Sequence, residues 1–187
     1  MKKLLIVLGI ILVLVVLLGV FAVSTYNGLV GKEETVNSSF AQIDTLLQRR
    51  ADLIPNLINT VKGYMAHEES IIEKVTEARA KLVGASTVEE KSEANEALTK
   101  AIDALVVVVE NYPDLKASEN FIQLQDELAG TENRIATARR DYNEAVKVFN
   151  SSIKTFPTNI FAGMFGFSEH SYFQATEAAS EVPSVEF

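Results

Sequence analysis

The chain has 187 residues, two histidines and no cysteine, and its 25 acidic side chains outnumber 17 basic ones. Without cysteine there are no disulfides, thiolate zinc sites, iron–sulfur clusters or thiol catalysis, and two histidines offer little for an imidazole-rich metal centre. The sequence therefore predicts no cofactor. Residues 24–187 hold 15 basic and 25 acidic side chains, a net charge of −10, and this sign argues against a nucleic-acid partner.

Residues 4–23 form an uninterrupted run of 20 residues without a polar side chain. As a helix the run would be about 30 Å long, which matches the hydrocarbon thickness of a bilayer. It predicts a membrane anchor at residues 1–23 that contacts lipid through residues 4–23. Cleavage of a signal peptide after Ala22 is the alternative, but the run exceeds the roughly 7–15 apolar residues typical of such peptides.

Basic residues around the run indicate its orientation. Lys2 and Lys3 precede it, whereas Lys32 is the only basic residue among the next twenty. Because basic residues concentrate on the cytoplasmic side of a membrane span, we expect a single-pass protein of the cell membrane with its bulk outside the cytoplasm. A cytoplasmic bulk remains the alternative.

The first helix after the run is predicted over residues 36–64, where apolar residues recur at alternating spacings of three and four. Arg50 occupies one of these seam positions, although such positions are normally apolar. Pro55 lies inside the same pattern. Because proline lacks an N–H group and clashes with the preceding turn, the helix should kink or restart there.

Three more helices follow in the pattern. The second covers residues 71–84, and the third is opened by a capping box at residues 86–89. The apolar stripe of the third helix is predicted to consist of Ala94, Leu98, Ala101, Leu105 and Val108. The fourth runs from about residue 115 to 153, and two charged residues, Glu132 and Arg139, lie on its apolar seam.

These elements predict an all-α protein with an N-terminal transmembrane helix followed by an antiparallel up-and-down four-helix bundle at residues 24–155. An even number of helices brings the chain back toward the membrane it left. Residues 156–187 should therefore form an aromatic-rich tail near the bilayer, and residues 181–187 lack periodicity and are expected to be extended or disordered.

Two groups of residues are candidate sites. Arg50, Glu132 and Arg139 could meet inside the bundle, either as a structural ion-pair network or as a pocket for an anionic headgroup or a carboxylate. The aromatic residues of the tail could cap the bundle, enter the bilayer interface or dock another membrane protein. These aromatic candidates are Phe156, Phe161, Phe165, Phe167, Tyr172 and Phe173.

A series of short strings resembles the LemA family of bacterial and archaeal membrane proteins, and the resemblance extends along nearly the whole chain. The strings are YNGLV at 26–30, QID at 42–44, QRRADLIPNL at 48–57, VKGY at 61–64, HE at 67–68, YPDLKA at 112–117, NF at 120–121, LQDEL at 124–128, TENRIA at 131–136, ARRDYN at 138–143 and FP at 156–157. The resemblance implies one membrane helix followed by an antiparallel helical bundle, and it implies no enzymatic activity. It also keeps the orientation with a cytoplasmic bulk open.

The function predicted from these features is that of a membrane-anchored, non-catalytic module for interaction or scaffolding at the cell envelope. Its expected partners are the bilayer and other membrane or envelope proteins, and the oligomeric state stays open. One alternative is a sensor that binds a small anionic ligand or a lipid headgroup around Arg50. A hydrolase using buried carboxylates such as Glu132 is the least favoured alternative, because no nucleophile and base are paired in any recognisable motif.

Overall fold

The structure is a computed structural model that describes residues 2–65 and 67–174. Over these residues all regular elements are helical and no strand occurs, so the predicted all-α class is confirmed. The helices are α1 (Lys2–Lys62), α2 (Glu69–Gly84), α3 (Val88–Val109), α4 (Pro113–Lys116), α5 (Glu119–Lys154) and α6 (Thr158–Phe165).

Contacts divide the chain into two compact units, which are described separately. Among the described residues, the first unit combines residues 2–39 with residues 143–170, and the second combines residues 40–65 and 67–142 with residues 171–174. The first unit thus contains the described part of the predicted anchor together with parts of the predicted bundle and tail. Helices α1 and α5 each contribute residues to both units.

The predicted anchor and the first predicted bundle helix are one continuous helix, α1. Its apolar beginning is exposed from Lys2 to Phe21, and by length and composition this helix could cross a membrane. An exposed apolar surface of this extent is stable in a bilayer but not in water. The predicted transmembrane helix thus has a matching element in the structure.

A restart at Pro55 was one of the two predicted outcomes, but helix α1 continues through this residue to Lys62. Pro55 has no N–H group for the carbonyl of Ala51, which lies one turn earlier. Instead, Nε of Arg79 in α2 donates a hydrogen bond to this carbonyl over 2.8 Å. The acceptor left free by the proline therefore serves as a contact between α1 and α2.

The predicted apolar seams form the core of the second unit. The predicted seam residues of α1 from Ile43 to Val61 are all buried, namely Ile43, Leu47, Arg50, Ile54, Leu57 and Val61. Tyr64, the last predicted seam residue, lies beyond the helix end and is 47% exposed. The apolar seam residues of α5 are buried as well, whereas Glu132 and Arg139 are half-buried. The core residues contributed by α2 and α5 to this unit are Ile71, Ile72, Val75, Ala78, Leu82, Phe121, Leu128, Ile135, Ala138 and Tyr142.

Helix α3 differs from its prediction in two details. Its capping box uses Thr87 and Glu90, one residue later than predicted, with the Thr87 hydroxyl accepting from the Glu90 N–H and the Glu90 carboxylate accepting from the Thr87 N–H. Its buried stripe is also shifted from the predicted one and includes a polar residue. The buried residues are Ala94, Asn95, Leu98, Ile102, Leu105 and Val109.

The predicted fourth helix is divided into the short helix α4 and the long helix α5. Helix α4 begins at Pro113. The missing N–H group of this proline does not destabilise the helix, because N–H groups in the first turn have no carbonyl partner within the helix. Helix α5 begins directly after Ser118, whose carbonyl accepts a hydrogen bond from the N–H of Ile122. Serine is favoured at the position before the first helical residue, which explains why α5 starts at Glu119 rather than at residue 115.

In the first unit the chain continues beyond α5 into α6, a helix that the sequence analysis did not predict. It ends at Gly166, whose φ of 81° lies in the left-handed region that glycine adopts without strain. The following segment is fixed by the buried Asn150, whose amide donates to the His170 carbonyl and accepts from the His170 N–H. The expectation for residues 181–187 lies outside the described residues.

Candidate functional site

Arg50 is a buried cation at the point where three helices of the second unit meet. Only 3% of the residue is exposed. Its Nη1 donates to Oδ1 of Asn95 over 2.6 Å and to Oγ1 of Thr99 over 2.9 Å, both on α3. The same nitrogen lies 2.7 Å from Oε2 of Glu132 on α5. The structure thus brings Arg50 and Glu132 together, as hypothesised, and adds two neutral partners.

The electrostatics of Arg50 reflect its burial. Loss of solvation lowers its pKa below the ordinary value, while the negative charges of Glu132 and then Asp103 oppose that shift. The guanidinium is still charged at neutral pH, since its ordinary value is far above 7. Glu132 has a partly exposed side chain, and its Oε2 contacts Nη1 outside hydrogen-bond geometry. Their contact is therefore an ion pair without an aligned hydrogen bond.

One edge of the guanidinium is unused. Nε of Arg50 is buried and has no hydrogen-bond partner. Arg50 also lines a cavity of about 310 Å³ between α1, α3 and α5. The cavity combines an apolar wall with acidic side chains. Its lining includes Leu57, Ile102, Leu105, Phe121 and Leu128 on the apolar side and Asp103, Asp126 and Glu132 on the acidic side.

Arg139, the third residue of the predicted polar cluster, has different partners. Its Nη2 donates to the Gln174 carbonyl over 2.7 Å, and its guanidinium lies 4.9 Å from the centre of the Phe173 ring. Nearby, the Tyr142 hydroxyl donates to the Ser171 carbonyl. Arg139 lies two turns after Glu132 on α5, and the structure uses it to hold residues 171–174 on the second unit.

The aromatic candidates of the tail divide into three groups. Phe173 is only 1% exposed and packs in the second unit, so of the three alternatives it offers no surface for docking. Tyr172 beside it is exposed. The other four belong to the first unit, where Phe156 is exposed, and Phe161, Phe165 and Phe167 contact aromatic rings of α1.

Asn95 and Thr99 are site residues that the sequence analysis missed. Asn95 lies three residues before Leu98, and the spacing continues through Ile102, Leu105 and Val109. A predicted stripe containing Ile102 and Val109 in place of Ala101 and Val108 would also have contained Asn95, and so would have revealed an amide at a core position. A buried amide at such a position calls for a polar partner from a neighbouring helix.

Among the residues that the structure describes, no group of three or more histidine, aspartate or glutamate side chains is placed to hold a metal ion. Glu132, the carboxylate on which hydrolysis would depend, is directed at Arg50. Fixed ion pairs and hydrogen bonds of this kind hold helices in register, and a cavity with an unused donor can bind a small molecule.

Comparison with known proteins adds a family and several relatives. The model of the LemA family matches residues 39–187. Magnetosome protein MamQ 2 of Paramagnetospirillum magneticum is 28% identical over 179 residues, covering 82% of this chain and 66% of that protein. Protein LemA of Metamycoplasma hominis is 30% identical over 175 residues, covering 89% of this chain and 78% of that protein. Magnetosome protein MamQ of Magnetospirillum gryphiswaldense is 24% identical.

The chain spans slightly less than two thirds of the length of the MamQ relatives that it matches. Neither LemA nor magnetosome protein MamQ is the name of an enzyme.

Proposed function

Because the chain belongs to the LemA family, we propose that it is a membrane-anchored, non-catalytic helical module for interaction or scaffolding at the cell envelope. The observation that carries this proposal is the exposed apolar beginning of α1. Helix α1 continues from this segment to Lys62 without a break and contributes to the core of the second unit. A bilayer would cover the apolar segment, and the second unit would be available to partners.

We further propose that α1, α2, α3 and α5 form an antiparallel up-and-down bundle. Contacts within the second unit support this arrangement, since Arg79 joins α2 to α1 and Arg50 joins α1 to both α3 and α5. The connections between successive helices are short, which favours antiparallel neighbours. The single-pass topology with an extracytoplasmic bulk is part of the same proposal.

A groove between α1 and α5 is the part of the second unit best suited to a protein partner. Its volume is about 500 Å³ and its lining is rich in side-chain amides, contributed by Asn56, Asn59, Asn120 and Gln123. Each such amide can donate and accept hydrogen bonds, as the backbone of a partner segment does. Its one acidic lining residue, Glu127, is paired with Arg49, so the groove fits a protein segment better than it fits a metal ion or an isolated charge.

Site-specific crosslinking tests the interaction role in intact cells. A photoreactive amino acid replaces Asn59 in the groove, and a matched chain carries it at the exposed Val107 on α3. We expect a discrete set of envelope proteins to be captured from Asn59 and a much smaller yield from Val107. Equal yields from the two positions, or no adduct from Asn59, would contradict the proposal.

A sensor function is a second candidate, favoured by two observations: Arg50 lines the cavity, and its Nε has no hydrogen-bond partner. The acidic residues Asp103 and Asp126 repel an anion, so they weaken the version in which the ligand is anionic. The ligand that fits best offers a neutral hydrogen-bond acceptor to Nε and an apolar group to the wall formed by Leu57 and Phe121.

Ligand-observed NMR with the full chain in lipid nanodiscs tests the sensor function. Benzamide, benzoate and benzylammonium share one ring and differ in charge. We expect benzamide to give the strongest saturation-transfer signal and Arg50→Met to remove it. Signals that are the same for the wild type and Arg50→Met would exclude a ligand site at this arginine.

A further inference from the structure

The segment at residues 155–168 has no charged side chain, and its exposed residues are mostly apolar. It includes α6. Phe156, Ile160 and Met164 follow one another at intervals of four residues and are 76%, 53% and 74% exposed. Within a helix, residues at this spacing share one face, so Ile160 and Met164 lie on the same face of α6. Phe156 lies two residues before the helix, and these three residues form the exposed apolar stripe of the first unit.

The other face of α6 packs against α1. The ring centre of Phe161 lies 5.5 Å from that of Phe21, and the ring centre of Phe165 lies 5.1 Å from that of Tyr26. Phe21 belongs to the apolar run at residues 4–23, and Tyr26 comes three residues after it. Helix α6 is therefore next to the end of the segment that would cross the membrane.

Polar contacts occur where the segment begins and ends. Nζ of Lys154 lies 2.6 Å from Oε2 of Glu169, and both side chains are exposed. The buried Asn150 fixes the backbone of His170 immediately afterward. The apolar segment is thus a loop closed at its base by charged and hydrogen-bonded groups, which need water or polar surroundings.

We propose that α6 lies in the membrane interface as a second lipid contact, with Phe156, Ile160 and Met164 directed into the acyl region. This inference rests on the proposed membrane anchor. We expect lipid to cover the stripe because α6 packs against Phe21, which belongs to the apolar run that would cross the membrane. Tyr26 marks the expected level, since tyrosine is enriched where headgroups meet hydrocarbon. An interfacial helix of this kind is buried about 5–10 Å below the headgroups.

The natural absence of cysteine makes a direct test possible. The full chain carries a single cysteine in place of Met164, labelled with an environment-sensitive fluorophore, in vesicles of phosphatidylcholine and phosphatidylglycerol. Val107→Cys is the control on α3, with comparable exposure, and Leu12→Cys is the control in the apolar run. Quenching by lipids that carry a spin label is compared with quenching by iodide in the water.

We expect lipid-borne spin labels to quench the fluorophore at Met164 and at Leu12 but not at Val107, with iodide quenching reduced several-fold at Met164 relative to Val107. Labels near the headgroup should quench Met164 more than labels near the end of the acyl chain. If lipids quench Leu12 but not Met164, the anchor stands and the interfacial helix is wrong. Protection of Met164 from both quenchers would also overturn it, because a protein would then cover the stripe. If Leu12 is not quenched either, the anchor itself fails.

Discussion

Arg50 is held by partners of different kinds, and the loss of each partner has a different consequence. Glu132 supplies charge, whereas Asn95 and Thr99 supply neutral acceptors. Removing Glu132 leaves a buried cation with only the smaller influence of Asp103 to balance its charge. Removing Arg50 leaves the buried Asn95 without its donor, while the partly exposed Glu132 regains water. Both changes destabilise the fold because they leave a buried group incompletely paired.

The first prediction concerns the coupling between Arg50 and Glu132. Arg50→Met and Glu132→Gln should each lower the free energy of unfolding by about 1–3 kcal/mol. The double variant should lose less than the sum of the two, by about 0.5–3 kcal/mol, because its remaining groups are no longer charged. Thermal unfolding of the full chain in detergent micelles, followed by circular dichroism, measures all four proteins.

A neighbouring ion pair provides the matched control. Arg49 and Glu127 lie 3.2 Å apart on the same two helices, but both side chains are 51% exposed. Exposed pairs contribute less than about 1 kcal/mol, so the same double cycle should show little coupling. Equal coupling in the two pairs would contradict a special role for the buried one.

At the scale of single residues, sequence patterns identified unusual positions but not all their partners. Arg50 and Glu132 stood out because charge on an apolar seam is costly. Arg139 stood out for the same reason, yet it contacts Phe173 and Gln174. Its partners come from the tail, whose path over the helices leaves no periodic pattern in the sequence.

Among the helices, α1 shows how a contact with a neighbouring helix can compensate for a proline in the helix interior. Pro55 removes one hydrogen bond of the helix, and Arg79 of α2 compensates by donating to the carbonyl of Ala51. Proline in a helix interior typically costs about 3 kcal/mol. Part of this cost is offset here, because the free carbonyl has found a partly buried partner.

The second prediction is a coupling between Pro55 and Arg79. In the natural chain, Arg79→Met should lower the free energy of unfolding by about 1–3 kcal/mol, because the Ala51 carbonyl loses its partner. With Pro55→Ala present, the restored N–H group can serve that carbonyl, and Arg79→Met should cost less. Thermal unfolding of the four variants measures the difference. Lys81→Met, on the exposed face of α2, is the control and should have the same small effect in both backgrounds.

The third prediction concerns the first turn of α3. The N–H groups of Ser86 and then Thr87 hold the pKa of Glu90 below its ordinary value. A lowered pKa in the folded state means that the carboxylate contributes stability above its ordinary pKa of about 4.3 and loses it as the pH falls through the folded value. The stability difference between the natural chain and Glu90→Ala should therefore be constant near neutral pH and shrink below about pH 4.

Thermal unfolding between neutral and acidic pH measures this difference. Thr87→Ala provides a comparison, since it removes the uncharged partner of the same capping box and should cost about 0.5–2 kcal/mol. Its effect should change less with pH than that of Glu90→Ala. A pH-independent effect of Glu90→Ala would indicate that its charge has no part in the cap.

Long periodic elements were predictable and short ones were not. The seams of α1, α2 and α5 were identified because an apolar stripe over many turns has only one helical interpretation. The shift of the α3 stripe arose because alanine and valine occur on several of its faces. Helices α4 and α6 have four and eight residues, too few turns for a period to emerge.

For the whole molecule, the sequence established the helical class and the apolar segment, because both depend on composition and period. Binding surfaces for partners and ligands combine residues that are distant in the sequence, so they cannot be predicted from any single segment. The groove between α1 and α5 is an example, since Asn56 and Asn120 are brought together only by folding. Orientation depends on the few basic residues on either side of residues 4–23.

The fourth prediction is the orientation of the protein in the cell membrane. Lys2 and Lys3 should hold the beginning of the chain in the cytoplasm, which places Val107 outside. Val107 is 69% exposed, so Val107→Cys gives the cysteine-free chain one accessible thiol. We expect a membrane-impermeant maleimide to label it in intact cells or, where an outer membrane is present, once that layer alone is permeabilised. A second variant with one cysteine inserted between Met1 and Lys2, which keeps both lysines, should react only after the inner membrane is opened. The reverse pattern would establish a cytoplasmic bulk and overturn the orientation, while leaving the membrane anchor and the helical fold unchanged.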